Sequence, residues 1–318
     1  MRNEDQDARA VALDGAKLVA SVVVTFNPQV ADFAEAVRLH ALNQPARFIV
    51  VDNGSINIEE IAALVGRVFP KGLAEVVRNP TNLGLGAALN RGIDRARASG
   101  CTHVALFDQD SQTKADTLQA LMANLSAVEC AGRRVGAIGP SQTDLRTGAE
   151  YPQRLLRGLR LKTLWPCLQP QDVFEVSFII TSGTLLTISV FEAVGPMRED
   201  FFIDGIDIEW CFRAGSLGYE VFCLKNVKIG HALGDGRRRF LGREMSIHSP
   251  LRNYYMLRNL LYMARLPTVP LRFRVVEALY AVVRIPFLLV FVRFAPGYLK
   301  HIALGLWHGL CGRLGPFR

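Results

Sequence analysis

Runs of consecutive apolar residues, alternating with stretches of helical periodicity, leave this 318-residue chain few choices of fold. Leu18 to Val24, Phe48 to Val51 and Val104 to Phe107 have almost no polar side in any register. A strand exposed on one face would alternate, so these runs predict central parallel strands covered on both faces. Between them, Ala31 to Leu42 carries Phe33, Val37 and Leu39 at helical spacing. A second helix rich in Ile and Ala starts near Ile58, and an Ala-rich one reaches about Ala98. Ala74 to Val77 reads as a third, shorter strand. Strand and helix alternating at this spacing predict a βαβ series, a doubly wound α/β domain.

Ligands of such domains bind at the carboxyl ends of the strands, and here those ends are polar. The first run finishes in Thr25-Phe26-Asn27-Pro28 and the second in Asp52-Asn53-Gly54-Ser55. The third leads into Asn82, Gly84 and Gly86, and the fourth finishes in Asp108-Gln109-Asp110-Ser111. Residues i and i+2 of a strand point the same way, so Asp108 and Asp110 could aim at one point. A polar strand end with a turn is the plainer alternative. GxGxxG does not follow the first strand and GxxxxGK[ST] is absent, which argues against dinucleotide oxidoreduction and P-loop chemistry.

A helix from about Lys114 to Ala127 and a strand from Val135 to Pro140 follow. Residues 141–172 are mixed, with Arg154, Arg157 and Arg160, and read as a surface excursion able to cover a site. Strand character resumes from Val173 to Leu186 around Ser182-Gly183, and Val190 to Val194 reads as a short helix. A second acidic cluster, Asp204, Asp207 and Glu209, lies at the entry to an amphipathic helix running through Arg213. Acids are favoured at a helix N-terminus whatever the function, and Asp207 could be no more than an N-cap. His231 alone is a weak signal. Combined with the earlier carboxylates it becomes a candidate third ligand for an oxygen-preferring metal.

The net charge of +8 is uneven: from Arg237 onward there are fourteen Lys or Arg and two acids, a balance of +12, which leaves −4 on residues 1–236. This favours different surroundings for two regions over a uniform nucleic-acid-binding surface. Arg252 to Arg265 is a basic and aromatic helix. Leu271 to Arg293 is apolar, but its longest uncharged run is the eight residues Ile285 to Val292, including Pro286. A spanning helix needs about 20. Basic residues flanking apolar turns, with Tyr280, Phe287, Phe291, Tyr298 and Trp307, fit a segment lying in a membrane interface; a pair of helices packed on another subunit is the competing reading. The six cysteines lack CxxC spacing and fit a reducing compartment. The opening MRNEDQDARA lacks the basic-then-apolar order of a signal peptide. The chain thus divides into a polar lead (1–17), an α/β domain (18–265) and a basic, apolar helical segment (266–318) for a membrane interface or oligomerisation.

Together these features suggest a nucleotide-diphosphate site. Asp52 could accept from a base N–H, the Asn82/Gly84 turn can approach a ligand closely, and Asp108 and Asp110 can hold a divalent cation bridging two phosphates. Asp207 would be free to deprotonate an attacking hydroxyl, while the metal neutralises the leaving diphosphate. At this point the sequence resembles glycosyltransferase family 2 with a GT-A fold, and within it the bacterial rhamnosyltransferases. The resemblance rests on VVVTFNP, FIVVDNGS, NLGLGAALNRGI, ALFDQDS, SGTLL, FFIDGIDIEWCFRAGSLGYEV and RNYYMLRN, from about residue 20 to 260.

The resemblance implies inverting transfer of L-rhamnose from dTDP-β-L-rhamnose to a sugar hydroxyl, with Mg²⁺ or Mn²⁺. Thr25 and Asp52 would lie by the base, Ser182 and Gly183 would border the donor sugar, and Asp108, Asp110 and His231 would serve the metal. Asp207 matches the catalytic base. Relatives often read Glu-Asp there, whereas Ile206 precedes Asp207, so Asp204 or Glu209 remain open as orienting partners or as the base itself. A glycan, often lipid-linked, is the implied acceptor, in O-antigen, cell-wall or exopolysaccharide synthesis. The implied location is peripheral, at the inner face of the bacterial cytoplasmic membrane, against anionic lipid. QxxRW is absent, which favours addition of one sugar. Homo-oligomerisation, a UDP- or GDP-sugar donor, a polyprenyl phosphate acceptor, and a non-catalytic scaffold are the alternatives.

Overall fold

The structure, a computed structural model, describes residues 17–144, 147–157, 160–231, 236–240, 243–292 and 294–317; the side chains of residues 231–247 and 284 are not described. The polar lead falls outside the described residues except for Lys17. The first half is the expected alternation: β1 (Val19–Thr25), α1 (Val30–Leu42), β2 (Arg47–Asp52), α2 (Ile58–Val68), β3 (Ala74–Arg78), α3 (Leu85–Ala98), β4 (His103–Asp108), α4 (Thr117–Cys130) and β5 (Val135–Asp144). Then come a hairpin, β6 (Gln153–Arg157) and β7 (Arg160–Leu164), and β8 (Val173–Val176), β9 (Thr184–Thr187), α5 (Ile188–Val194), α6 (Ile206–Ser216) and β10 (Glu220–His231). A second hairpin, β11 (Gly236–Phe240) and β12 (Arg243–Ile247), leads to α7 (Pro250–Met263), α8 (Leu271–Phe291) and α9 (Pro296–Cys311).

Eight strands form one sheet in the order β3-β2-β1-β4-β9-β5-β10-β8. The pairs β1–β2, β1–β4, β2–β3 and β5–β10 are parallel, and only β9 and β8 run against the rest. The apolar runs have no polar side because both faces are covered. Ala20, Val22 and Val24 of β1 pack with Leu89, Ile93 and Trp210 on one side, while Val23 packs with Phe33, Val37 and Ile61 on the other.

The stretch Val173 to Leu186 is not one strand. It divides into β8 at the sheet edge and β9 between β4 and β5, joined by a turn at Gly183, where φ is +86°. β5 runs on past Pro140 to Asp144, and the excursion at 141–172 contains the β6–β7 hairpin. All six cysteines are unpaired.

The boundary at residue 265 does not follow the packing. α9 lies against α7 so closely that a Cβ on Gly305 or Gly309 would be 2.8 Å from the carbonyl oxygen of Tyr254 or Arg258 respectively. The Tyr254 hydroxyl shares a 2.8 Å hydrogen bond with His308 Nδ1, the Phe317 N–H donates to the Tyr255 hydroxyl at 2.7 Å, and the Gly315 N–H donates to the Asp200 carbonyl at 2.8 Å. Residues 296–317 therefore belong to the body that carries the second acidic cluster. α8 is the outlying element, with Leu279, Val282 and Val283 each more than 60% exposed. Among the described residues, no helix is long and apolar enough to cross a membrane.

Candidate active site

The carboxyl ends of β1, β2 and β4 lie side by side: Thr25 is opposite Asp52, and Val24 is opposite Asp108. Thr25 and Asp52 are almost fully buried. The Asp52 carboxylate accepts from the Thr25 hydroxyl at 3.0 Å and from the backbone N–H groups of Gly54 and Ser55 at 3.1 and 2.9 Å. Its first task is to shape the turn after β2. The next turn is built by an asparagine that the sequence did not single out. Asn53 accepts from Asn79 Nδ2 and the Leu83 N–H, and its own amide donates to the Asn82 side chain and the Gly84 carbonyl. Gly84 has φ +91°, and a Cβ there would lie 2.7 Å from the Phe202 carbonyl oxygen, so any larger residue would push apart two loops that meet at the site.

Asp108 ends β4, but Asp110 lies in a turn beyond it. The two acids therefore do not share one face of a strand; Asp110 lies within a turn closed by the Ser111 N–H donating to the Asp108 carbonyl. Gln109 between them accepts from the Phe26 N–H at 2.8 Å and ties this turn to the end of β1. Ser111 accepts from the Asp108 N–H at 3.0 Å and shares a 2.5 Å hydrogen bond with the fully buried Ser182 hydroxyl. The Ser182 carbonyl accepts from Gln142, and the Gly183 N–H donates to the Leu106 carbonyl. Ser182 and Gly183 are thus fixed to the same strand end as the acids.

Asp207 sits in the first turn of α6, its carboxylate accepting from the Thr181 N–H at 3.2 Å and the Ile208 N–H at 2.9 Å. It does not cap the helix; that position is Gly205, in a left-handed conformation with φ +79°. The residue keeps partial exposure, yet burial of its carboxylate raises its pKa from 3.8 to about 6, helped by the charges of Asp108 and Asp204 and partly offset by the two N–H donors. The two acidic clusters, about a hundred residues apart in sequence, therefore meet in space.

The other two acids of this cluster are both engaged by arginines. Glu209 is buried and held by Arg213, with carboxylate oxygens 3.1 Å from Nε and 2.9 Å from Nη2, while the same guanidinium donates to the Val194 and Pro196 carbonyls. Two residues along a helix place it on another face from Asp207, and it acts as a strut between α6 and the segment before it. Asp204 pairs with Arg252 at 3.3 Å and bears on Asp207 through its charge. Beside it, a cleft of about 220 Å³ lies between α7 and α8, with Phe178, Ile208, Met256 and Tyr280 among its walls.

The backbone of His231 ends β10. Its neighbour Gly230 pairs with Gln112, two residues past Asp110, so this strand end comes beside the acidic turn. The His231 side chain lies outside the described residues. Among the described residues no group of three His, Cys, Asp or Glu side chains is arranged to hold a metal ion. Two carboxylates at the mouth of a sheet still fit a hard divalent cation, because Mg²⁺-type ions are commonly held by one or two carboxylates plus substrate phosphates. The charges of Asp108 and Asp204 both bear on Asp207, so this corner is one of gathered negative charge, as such an ion would require.

An eight-stranded, mostly parallel sheet with polar strand ends and an acidic turn after the fourth strand defines the GT-A class of α/β glycosyltransferases. The chain belongs to glycosyl transferase family 2, whose family model matches residues 21–183. It is 28% identical over 298 residues to the dTDP-rhamnosyl transferase RfbF of Shigella flexneri, an alignment spanning 93% of this chain and 97% of that protein. Among solved structures, GalNAc-T7 with UDP, GalNAc and Mn²⁺ superposes with a TM-score of 0.58 at 15% identity, over 79% of this chain and 48% of that one. Residues 1–349 of S. aureus TarS in complex with UDP superpose with a TM-score of 0.52 at 14% identity, over 79% of this chain and 66% of that one. These two likenesses concern the fold.

Proposed function

We propose that this protein transfers an L-rhamnosyl group from dTDP-β-L-rhamnose to a sugar hydroxyl of a growing glycan, with inversion at the anomeric carbon. The observation that carries this reading is the meeting of Asp207 with the Asp108 turn: a carboxylate with its pKa raised to about 6 beside a site suited to a diphosphate. Near-full-length similarity to a dTDP-rhamnosyl transferase supports the donor.

In this reading the donor lies across the ends of β1, β2 and β4. Thr25 and Asp52 shape the pocket for the base, and the Asn82–Gly84 turn closes over the nucleotide. Ser182 and Gly183 border the sugar. Asp108 and Asp110 would hold Mg²⁺ or Mn²⁺, with His231 as a further ligand; the ion supplies charge neutralisation for the departing diphosphate. Asp207 accepts the proton of the acceptor hydroxyl as that oxygen attacks the anomeric carbon from the face opposite the nucleotide. A base with pKa near 6 is ionised at neutral pH and still basic enough to take a proton in the transition state.

Calorimetry across dTDP, UDP and GDP with Mg²⁺ or Mn²⁺ tests the donor class. dTDP should bind at least about tenfold more tightly than the others, a difference of roughly 1.4 kcal/mol. Equal affinities would remove the assignment of dTDP. Transfer from dTDP-rhamnose to defined lipid-linked acceptors then tests the reaction itself.

The acceptor is proposed to be lipid-linked, and the protein to work as a peripheral protein at an anionic membrane surface. The exposed apolar residues of α8 and the basic residues along the C-terminal region support this. Cutting the chain after Ala264 is a poor test, since it would also remove α9 from α7. Charge placed on α8 is cleaner: Leu279→Glu with Val283→Glu should lower binding to anionic vesicles by about tenfold or more, given roughly 1 kcal/mol per basic or buried apolar group at such surfaces. Unchanged vesicle binding together with loss of an oligomer in sedimentation would assign the surface to a second subunit instead.

A further inference from the structure

The segment between residues 200 and 205 feeds directly into α6, and so sets where Asp207 stands. Its backbone is unusual. Phe202 and Asp204 both have φ of 64° and Gly205 has φ 79°, so two residues with side chains sit in the left-handed region. Such a conformation persists only where its surroundings hold it, and α7 does the holding. The amide nitrogen of Asn259 lies 3.0 Å from the carbonyl oxygen of Phe201, 2.7 Å from that of Ile203 and 2.8 Å from that of Asp204. One side-chain amide, with two hydrogens, thus faces three carbonyls of one loop.

Arg258 fixes the orientation of that amide. Its Nε donates to Asn259 Oδ1 at 2.9 Å; its Nη2 donates to the Phe201 carbonyl at 2.7 Å and the Asp200 carbonyl at 3.3 Å; its Nη1 donates to the Gly315 carbonyl at 2.5 Å. The guanidinium is completely buried and lies over the rings of Tyr255 and Tyr254. A buried arginine is a costly way to fill space, and an apolar residue would usually serve stability as well. Its contacts point instead to specifying one loop conformation. On the loop's other side the Phe202 carbonyl accepts from the Leu85 N–H at 2.6 Å, and the Phe202 ring stacks on Tyr255. The loop is held between α7 and the turn that closes over the nucleotide.

We infer that Asn259, oriented by Arg258, is a positioning residue for catalysis: it fixes the carbonyl frame of residues 201–204 from which α6 carries the Asp207 carboxylate to the acceptor hydroxyl. It touches no substrate and acts through Asp207. The inference rests on the reading of Asp207 as the base, and its test separates the two.

The test compares Asp207→Asn, Asn259→Ala, Asn259→Ser and the double variant Asp207→Asn/Asn259→Ala in the full chain. It uses steady-state transfer from dTDP-rhamnose, calorimetry with dTDP, and thermal melting. Misplacing a reacting group by about 1 Å costs on the order of 10²-fold. Asn259→Ala should therefore lower kcat by about 10²-fold while donor KM and dTDP affinity stay within about threefold. Asn259→Ser, which keeps one donor, should fall between it and the unaltered protein. Because Asn259 acts through Asp207, the double variant should be no slower than Asp207→Asn alone. An unchanged kcat, a loss of dTDP affinity as large as the loss of kcat, or independent effects that multiply in the double variant would each overturn the inference. Should Asn259→Ala fail to fold, Asn259→Ser decides by the same criteria. If Asp207→Asn transfers normally, the base assignment itself falls. If Asp207→Asn is inactive and Asn259→Ala is fully active, only the positioning role falls.

Discussion

Replacing Asp207 with Asn should lower kcat by about 10³-fold, within the range a positioned general base contributes, while dTDP affinity stays within a few-fold of its original value. The asparagine has nearly the same shape and can still accept from an N–H such as that of Thr181 or Ile208, the two donors that fix the carboxylate. It cannot take a proton. Single-turnover transfer with saturating donor, alongside calorimetry, separates the two effects. A variant that turns over normally would exclude Asp207 as the base; one that loses donor affinity in step with rate would make it a binding residue.

The pH dependence follows the same chemistry. Burial, with Asp108 and Asp204 nearby, raises the Asp207 pKa to about 6, so the ionised and active form is depleted as pH falls below that value. kcat should therefore rise with pH along an acidic limb near 6 and level off above it. A cation on Asp108 would cancel part of the upward push and move the limb lower. Asp207→Asn should abolish the limb together with most of the rate.

A second large effect is expected in the packed core under the sheet. His40, on α1, is fully buried, its ring 4.5 Å from Phe107 and 5.4 Å from Phe48, with no hydrogen-bond partner at either ring nitrogen among the described residues. Burial holds its pKa down to about 3 from 6.5. The unfolded chain binds this proton below 6.5 while the folded chain refuses it until about 3. Stability is therefore complete above 6.5 and is lost progressively as pH falls from 6.5 towards 3. Each pH step of one between those two values removes roughly 1.4 kcal/mol, so the loss by pH 3 is on the order of 5 kcal/mol, a large share of the stability of a typical domain. His40→Leu removes the titrating group and the two unpartnered nitrogens at similar volume. It should move the acid-unfolding midpoint, followed by circular dichroism, down by about one pH unit or more, with little change in transfer at neutral pH. An unchanged midpoint would mean that other groups control acid unfolding.

The sequence disclosed most where local pattern and final environment agree. β1, β2 and β4 were legible because strands covered on both faces must be apolar throughout, and α1 because Phe33 and Val37 share a helical face. The strand ends were legible too, since polar residues after such runs have only the sheet's carboxyl edge to occupy. What escaped depends on distant partners. Nothing in Thr184 to Thr187 indicates that this short strand inserts antiparallel between β4 and β5, because its partners lie about fifty and eighty residues earlier. Spacing alone could not distinguish Asp204, Asp207 and Glu209; their difference lies in distant partners, Arg213 for Glu209 and Arg252 for Asp204. Asn53, Ser111 and Asn259 were missed for a related reason. Each is an ordinary polar residue whose importance lies in backbone groups brought to it by the fold. RNYYMLRN did offer a signal: a helix that must bury one face carries Arg258 and Asn259 within it.

The contact of Gly315 with both Asp200 and Arg258 has a consequence for synthesis. Domains begin to fold as they leave the ribosome, amino-terminal segments first. The sheet, the Asn82–Gly84 turn and the acidic turn after β4 can all assemble early. The loop before Asp207 lacks its full set of restraints until residues near position 315 have also emerged. The frame on which Asp207 stands is therefore completed only after the residues near position 315 have joined the fold, long after the strand ends are in place.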